Sequence, residues 1–347
     1  MVNKCFTNIG PFEIIPGMSR KLLVLLALSL IVILIGYRVS GLHFDWALFL
    51  SSLSGMKPGW IAASVLLTMA TLWVRAVRWQ VLLAPLKAVR LGPLLSITVV
   101  GFSAIFLLGR AGEVARPLWL SRREKVTLTG SIATIVVERM LDSIMLILVF
   151  VGALFWAETP ETSSPTLAFL KNRAWIIAGV AGAALATLLI LRLNAVRVVR
   201  LIPFRRIASW VDSFLEGLSF IHDGRSLALV MLQSAVLWIV IILQFWMMLR
   251  GMNFSVSAGA ATLVMVVSAI GSAVQIPGVG GGFQAGYIFC MNVLLRIPFE
   301  QAVATALLAF VLSFGPVVAL APLFMMNEGF SLRELKAWVR KPESEPL

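Results

Sequence analysis

The sequence predicts an all-α, polytopic helical membrane protein: about six full spans plus two Gly/Pro-broken re-entrant hairpins, or eight spans, in an inverted-repeat architecture. Three observations carry this. Of 347 residues, 60% are hydrophobic and 13% charged, with a mean hydropathy of +0.96, far outside the usage of soluble domains. Apolar runs recur at the length of about 17–25 residues that crosses a bilayer. Two of the runs are broken by clustered Gly and Pro at corresponding places in the two halves, a pattern that points to a transporter with its site near the midplane.

Residues 1–20 read as a cytoplasmic tail, 21–328 as the transmembrane domain and 329–347 as a second cytoplasmic tail. Arg20 and Lys21 precede the first span, Leu22 to Tyr37, and put the N-terminus inside. No small-residue cleavage site follows at "YRVSGLHFDW", so the span reads as a retained anchor. The second span, Gly59 to Val74, returns inward, and Arg75, Arg78, Lys87 and Arg90 beyond it read as a cytoplasmic connection. If Leu91 to Leu108 crossed fully, Arg110, Arg116, Arg122, Arg123 and Lys125 would lie outside, against the positive-inside rule. A re-entrant hairpin over 91–120, turning near Gly109 and Gly112, removes the conflict.

Leu128 to Trp156 then crosses outward to the acidic loop "AETPETSSP", and Trp175 to Leu191 returns to an arginine-rich loop. Helical spacing of Ile207, Trp210, Val211, Phe214, Leu215, Leu218 and Ile221 predicts an interfacial helix over 207–222, with an ordinary amphipathic linker as the alternative. Leu227 to Leu249 crosses outward, a second re-entrant hairpin covers 256–296, and Ala302 to Met325 runs inward. Setting "GRAGEVARP" (Gly109 to Pro117) against "GVGGGFQAG" (Gly278 to Gly286) pairs the turn glycines Gly109 with Gly278 and Gly112 with Gly281. This topology describes a multi-pass protein of the plasma (bacterial inner) membrane with both termini cytoplasmic.

The formal net charge of +13 follows from basic connections facing anionic headgroups and does not call for nucleic acid. Within the first hairpin, Arg110 and Arg116 flank a broken helix whose backbone N–H groups are exposed, a good phosphate site, with Glu113 as counter-charge. The alternative is a structural ion pair. In "VVERMLDSIM", Glu138 and Asp142 share a helix face, and Arg139 is spaced to reach Asp142. Each such charge would cost about 2.5–3.5 kcal/mol facing lipid, so partners or a wet cavity are required, and the arginines of the hairpin are the obvious partners. A static clamp joining hairpin to span is again the alternative.

Gln275 and Gln284, with Asn292, are candidates to line the same cavity, although a single amide also serves as interhelical glue. Trp73, Trp79, Trp119 and Trp246 read as interface anchors. His43 and His222 are too far apart to suggest a metal site or a catalytic pair, and Cys5 and Cys290 do not suggest a disulfide. "PGVGGGFQAG" lacks the Lys-Ser/Thr of a phosphate-binding loop. No cofactor, metal or catalytic residue is expected.

"GRAGEVARP" followed by "VVERMLD", with "PGVGGGFQA" downstream, resembles the signatures of the flippase-like family that includes the transmembrane region of lysylphosphatidylglycerol synthase, also called multiple peptide resistance factor. The resemblance covers about residues 20–330. It implies that Arg110, Glu113, Arg116, Glu138, Arg139 and Asp142 take the family's polar positions and that the activity is movement of a lipid, such as an aminoacylated phosphatidylglycerol, between leaflets. Gln284 departs from the family's usual Glu. The soluble aminoacyl-transferring domain has no counterpart here, so synthesis of the aminoacyl lipid is not expected. Three functions remain: a lipid transporter, whose partners are a membrane lipid and the bilayer; a structural or interaction protein with static ion pairs; and a membrane-embedded lipid-modifying enzyme using Glu138 and Asp142 as acid and base.

Overall fold

The computed structural model describes residues 44–157, 165–193, 224–276 and 280–327. The first span, the 207–222 helix, both tails, His43, His222, Cys5 and Gly278 lie outside the described residues, as do the side chains of Arg110 and Gln275. Contacts cluster into Met1–Ala47 and Leu48–Leu347.

The chain is an all-α polytopic membrane protein. A short α1 (Trp46–Ser51) is followed by α2 (Pro58–Leu83), α3 (Leu91–Leu108), a 3-10 turn (Gly109–Val114), α4 (Ala115–Glu124), α5 (Leu128–Trp156) and α6 (Pro165–Leu193). The second half comprises α7 (Gly224–Gly251), α8 (Ala258–Gly271), a two-residue β pairing of Gln275–Ile276 with Gly280–Gly281, α9 (Gly282–Phe289), a π turn (Cys290–Leu294) and α10 (Phe299–Asn327). Among the described residues, α2, α3, α7 and α10 are long and apolar enough to cross a membrane. At 29 residues α5 has the length, but Glu138, Arg139 and Asp142 interrupt its apolar run.

The helix ends follow from local chemistry. Pro58 occupies the first turn of α2, where its missing N–H costs nothing. Thr127 caps α5 by accepting from Gly130 N, and Ser257 caps α8 by accepting from Ala260 N. Gly109 ends α3 at φ 63°, and Gly281 precedes α9 at φ 76°, conformations that side chains with a Cβ rarely adopt.

Both glycine-rich regions fold back on the helix before them. A Cβ on Gly112 would overlap the backbone of Ala104, and one on Gly101 would overlap the Arg116 side chain. In the second region a Cβ on Gly271 would meet Gly282 O, and one on Gly286 would meet Val267 O. Gly112 is therefore needed for close approach, whereas Gly109 and Gly281 supply the turns.

Both fold-backs pack against neighbouring helices. The helix α2 runs along α7, α3 packs on α10, and α8 packs on α5; α4 lies on α5 and α9 on α10. The Ser103 hydroxyl, within 3.0 Å of the Val317 carbonyl, ties α3 to α10. Trp79 and Trp119, expected at the interface, are instead buried in the core. The Trp79 indole N–H donates to Thr134 Oγ1 at 3.1 Å, which satisfies its polar edge away from water. Trp73, expected at a span end, lies exposed ten residues before the end of α2.

Candidate functional site

The C-terminal third of α2, the middle of α5 and the start of α4 bring four guanidiniums around two carboxylates. Glu138 accepts from Arg116 in a two-pronged contact, Nη2 to Oε2 at 3.1 Å and Nη1 to Oε1 at 3.3 Å. Arg75 Nη1 and Arg78 Nη2 each lie 3.6 Å from Glu138 Oε1, and Arg139 Nη2 lies 3.9 Å from it. Asp142 is held by Arg75 Nη1 at 3.0 Å and Arg78 Nη1 at 2.8 Å. Arg139, spaced to reach Asp142 along its own helix, lies against Glu138 instead.

The largest correction concerns Arg75 and Arg78. The positive-inside argument sets them in a cytoplasmic connection, but both belong to α2 and Arg78 is fully buried. They are three apart and so share a face, as Glu138 and Asp142 do four apart on α5. Two complementary doublets on neighbouring helices were the signal available in the sequence.

Aromatic rings complete the site. The Arg116 guanidinium sits 4.3 Å from the Trp79 ring centre, and the Phe102 ring has Arg75, Arg116 and Arg139 at 5.1, 5.4 and 5.8 Å. Their negative faces offset part of the cationic charge. Neither ring was identifiable as a site residue from sequence. Arg78 also donates to Ser234 Oγ at 3.2 Å, joining the cluster to α7.

The charges do not balance. Among the described residues of the cluster, Arg75, Arg78, Arg116 and Arg139 face only Glu138 and Asp142, an excess of two positive charges. Among the described residues, Arg78 Nε and Nη2, Arg116 Nε and Arg139 Nε find no hydrogen-bond acceptor. Excess charge and spare donors in a low-dielectric setting favour an anion.

One side of the cluster reaches a groove of about 700 Å³ between α4, α5 and α6. Its walls include Ile132, Val136, Met140, Ile144 and Val180, and its polar residues include Arg139 and Glu113. Arg139 is 38% exposed, so the groove gives an outside group access to the cluster. Gln284 lies on α9, within the second hairpin. A cluster of three or more His, Cys, Asp or Glu able to hold a metal is absent among the described residues.

A family model described as the lysylphosphatidylglycerol synthase TM region matches residues 22–321. No curated protein and no solved structure is matched.

Proposed function

The chain belongs to the lysylphosphatidylglycerol synthase TM region family, and we propose that it is a lipid transporter that moves an anionic or aminoacylated phospholipid between leaflets. The observation that carries this reading is the excess of guanidinium over carboxylate inside the helices, beside an apolar groove. A phosphodiester approaches through the groove with its acyl chains against Ile132, Val136, Met140 and Ile144. Its phosphate meets Arg139 first, then competes with Glu138 and Asp142 for the arginines behind. Exchange of arginine–carboxylate for arginine–phosphate contacts keeps each guanidinium paired as the headgroup moves. Both carboxylates are occupied by arginines, which speaks against their use as catalytic acid and base.

The packing supports an inverted repeat with two re-entrant hairpins. Exchanging α2, α3, α4 and α5 for α7, α8, α9 and α10 maps the α3–α10 contact onto α8–α5, α2–α3 onto α7–α8, and α4–α5 onto α9–α10. Each hairpin is thus held between helices of both halves, as alternating access between two leaflets requires. The arginine-rich connections favour cytoplasmic termini and a plasma membrane location.

The test is native mass spectrometry of the lipids retained by the purified protein and by an Arg139→Gln variant. Arg139 is the most exposed member of the cluster, so its removal leaves the buried pairs in place. The expected result is enrichment of an anionic or aminoacylated lipid in the wild type and its loss in the variant. An identical annular mixture in both contradicts the reading. A second reading, a static clamp, is favoured by the full burial of Arg78 and Glu138; it predicts that same identical mixture.

A further inference from the structure

A guanidinium has five N–H donors, and when it is buried each of them needs an acceptor. Arg78 is fully buried. Two carboxylates are near it, Asp142 Oδ1 at 2.8 Å from Nη1 and Glu138 Oε1 at 3.6 Å from Nη2. Neither is in line with its N–H bonds: among the described residues Arg78 Nε, Arg78 Nη2 and Asp142 Oδ1 are without a hydrogen-bond partner. Proximity supplies Coulomb attraction, whereas a hydrogen bond requires the N–H to be aimed at its acceptor. The aligned bond of Arg78 goes from Nη1 to Ser234 Oγ, at 3.2 Å.

Ser234 stands on α7, in the second half, and is itself fully buried. The other hydrogen bonds and ion pairs of the cluster stay within α2, α4 and α5. Among the described residues, the Arg78–Ser234 bond is therefore the one that ties the guanidiniums to the second half. Packing does not call for a serine at this place. Val230 and Leu237, one turn away on either side, are buried on the same face of α7, and an apolar residue would continue their stripe. The partner that gives the hydroxyl a purpose is the arginine. A guanidinium released by Ser234 has a better arrangement within reach: turned in line with Asp142, it makes the two-pronged contact that Arg116 makes with Glu138, and its donors are then spent on a carboxylate. Held by Ser234, it keeps Nε and Nη2 open.

We propose that Ser234 is a positioning residue: from the second half it keeps Arg78 out of a fork with Asp142, and so keeps donors of the cluster available to an entering phosphate. The inference deepens the lipid-moving reading above and rests on it. Through this one neutral hydrogen bond the second half takes part in the anion affinity of the first.

The experiment titrates the full chain in detergent with phosphatidylglycerol, and with phosphatidylcholine as control, and reads an apparent Kd from the lipid-dependent rise in unfolding temperature. Ser234→Ala is expected to weaken the binding of phosphatidylglycerol about tenfold and to leave phosphatidylcholine unchanged. Ser234→Cys keeps the volume of the side chain but offers only a weak acceptor, and it is expected to lose as much; it carries the test alone if Ser234→Ala does not fold. In an Arg78→Gln background, or Arg78→Lys if that variant does not fold, the loss caused by Ser234→Ala should vanish, because the serine acts through the arginine. Three results overturn the inference: wild-type affinity in Ser234→Ala, wild-type affinity in Ser234→Cys, or a tenfold loss that persists without Arg78, the last two showing a role in packing. Each of these leaves the lipid reading standing. A wild type that does not prefer phosphatidylglycerol to phosphatidylcholine overturns that reading instead.

Discussion

Two contacts between helices in this molecule are made with different chemistry. Where α2 meets α5, arginines and carboxylates interlock within 2.8 to 3.9 Å. Where α7 meets α10, a single amide–hydroxyl contact at 3.4 Å joins the helices, and Ala309, one turn before Ser313, is fully buried. The neutral contact borders a cavity, and Ala302 and Ala306 are buried farther along the same helix. The difference teaches that this architecture does not need charge to hold its helices together. Buried ion pairs add little net stability over good apolar packing, so the charged crossing has work beyond packing, and its surplus of guanidinium says what kind.

The comparison is broken most forcefully by removing one buried carboxylate. Glu138→Gln leaves Arg116, Arg78, Arg75 and Arg139 around Asp142 alone, and about 3–5 kcal/mol of stability should be lost, read as a large drop in thermal unfolding temperature in detergent. Ser313→Ala in the other crossing should cost only about 1 kcal/mol. Equal costs would show that the two crossings are energetically alike and remove the contrast.

A smaller effect is expected in the hairpins, where the halves should behave alike. Gly112→Val and Gly271→Val each drive a side chain into backbone, and each should destabilise by about 1–3 kcal/mol. A cost in one hairpin alone would mean that the fold-backs are not equivalent. The smallest stability change is expected when the first crossing is rewritten as the second. Arg75→Gln and Arg78→Gln with Asp142→Ser remove Asp142 together with both guanidiniums that hold it, so stability should stay within about 1.5 kcal/mol of wild type while lipid retention falls. A severe loss of stability would favour the static clamp.

Much of the fold was legible because membrane spans announce themselves by length and apolar content. The run from Leu128 to Trp156 was read with the boundaries that α5 has, and the Gly-rich breaks marked the two places where the chain folds back on the helix before it. Glu138 and Asp142 were legible for the same reason, since carboxylates inside an apolar run need partners. Arg75 and Arg78 were not, because the positive-inside rule counts basic residues by sign and cannot tell a loop arginine from one on the last turns of a helix. Phe102 and Trp79 were invisible for another reason: in a chain this apolar, a ring beside a guanidinium looks the same in sequence as a ring beside lipid. The neutral contact was hidden too, since Gln244 and Ser313 meet only once α7 and α10 are packed together.

The central claim is that the arginine cluster selects an anionic headgroup. Its most direct test is to compare the translocation of tail-labelled phosphatidylglycerol and phosphatidylcholine in the same vesicles, for the wild type and for Arg139→Gln. The account predicts that the wild type moves phosphatidylglycerol about tenfold faster and that the variant loses the preference. Equal rates for both lipids, unchanged by the substitution, would contradict it.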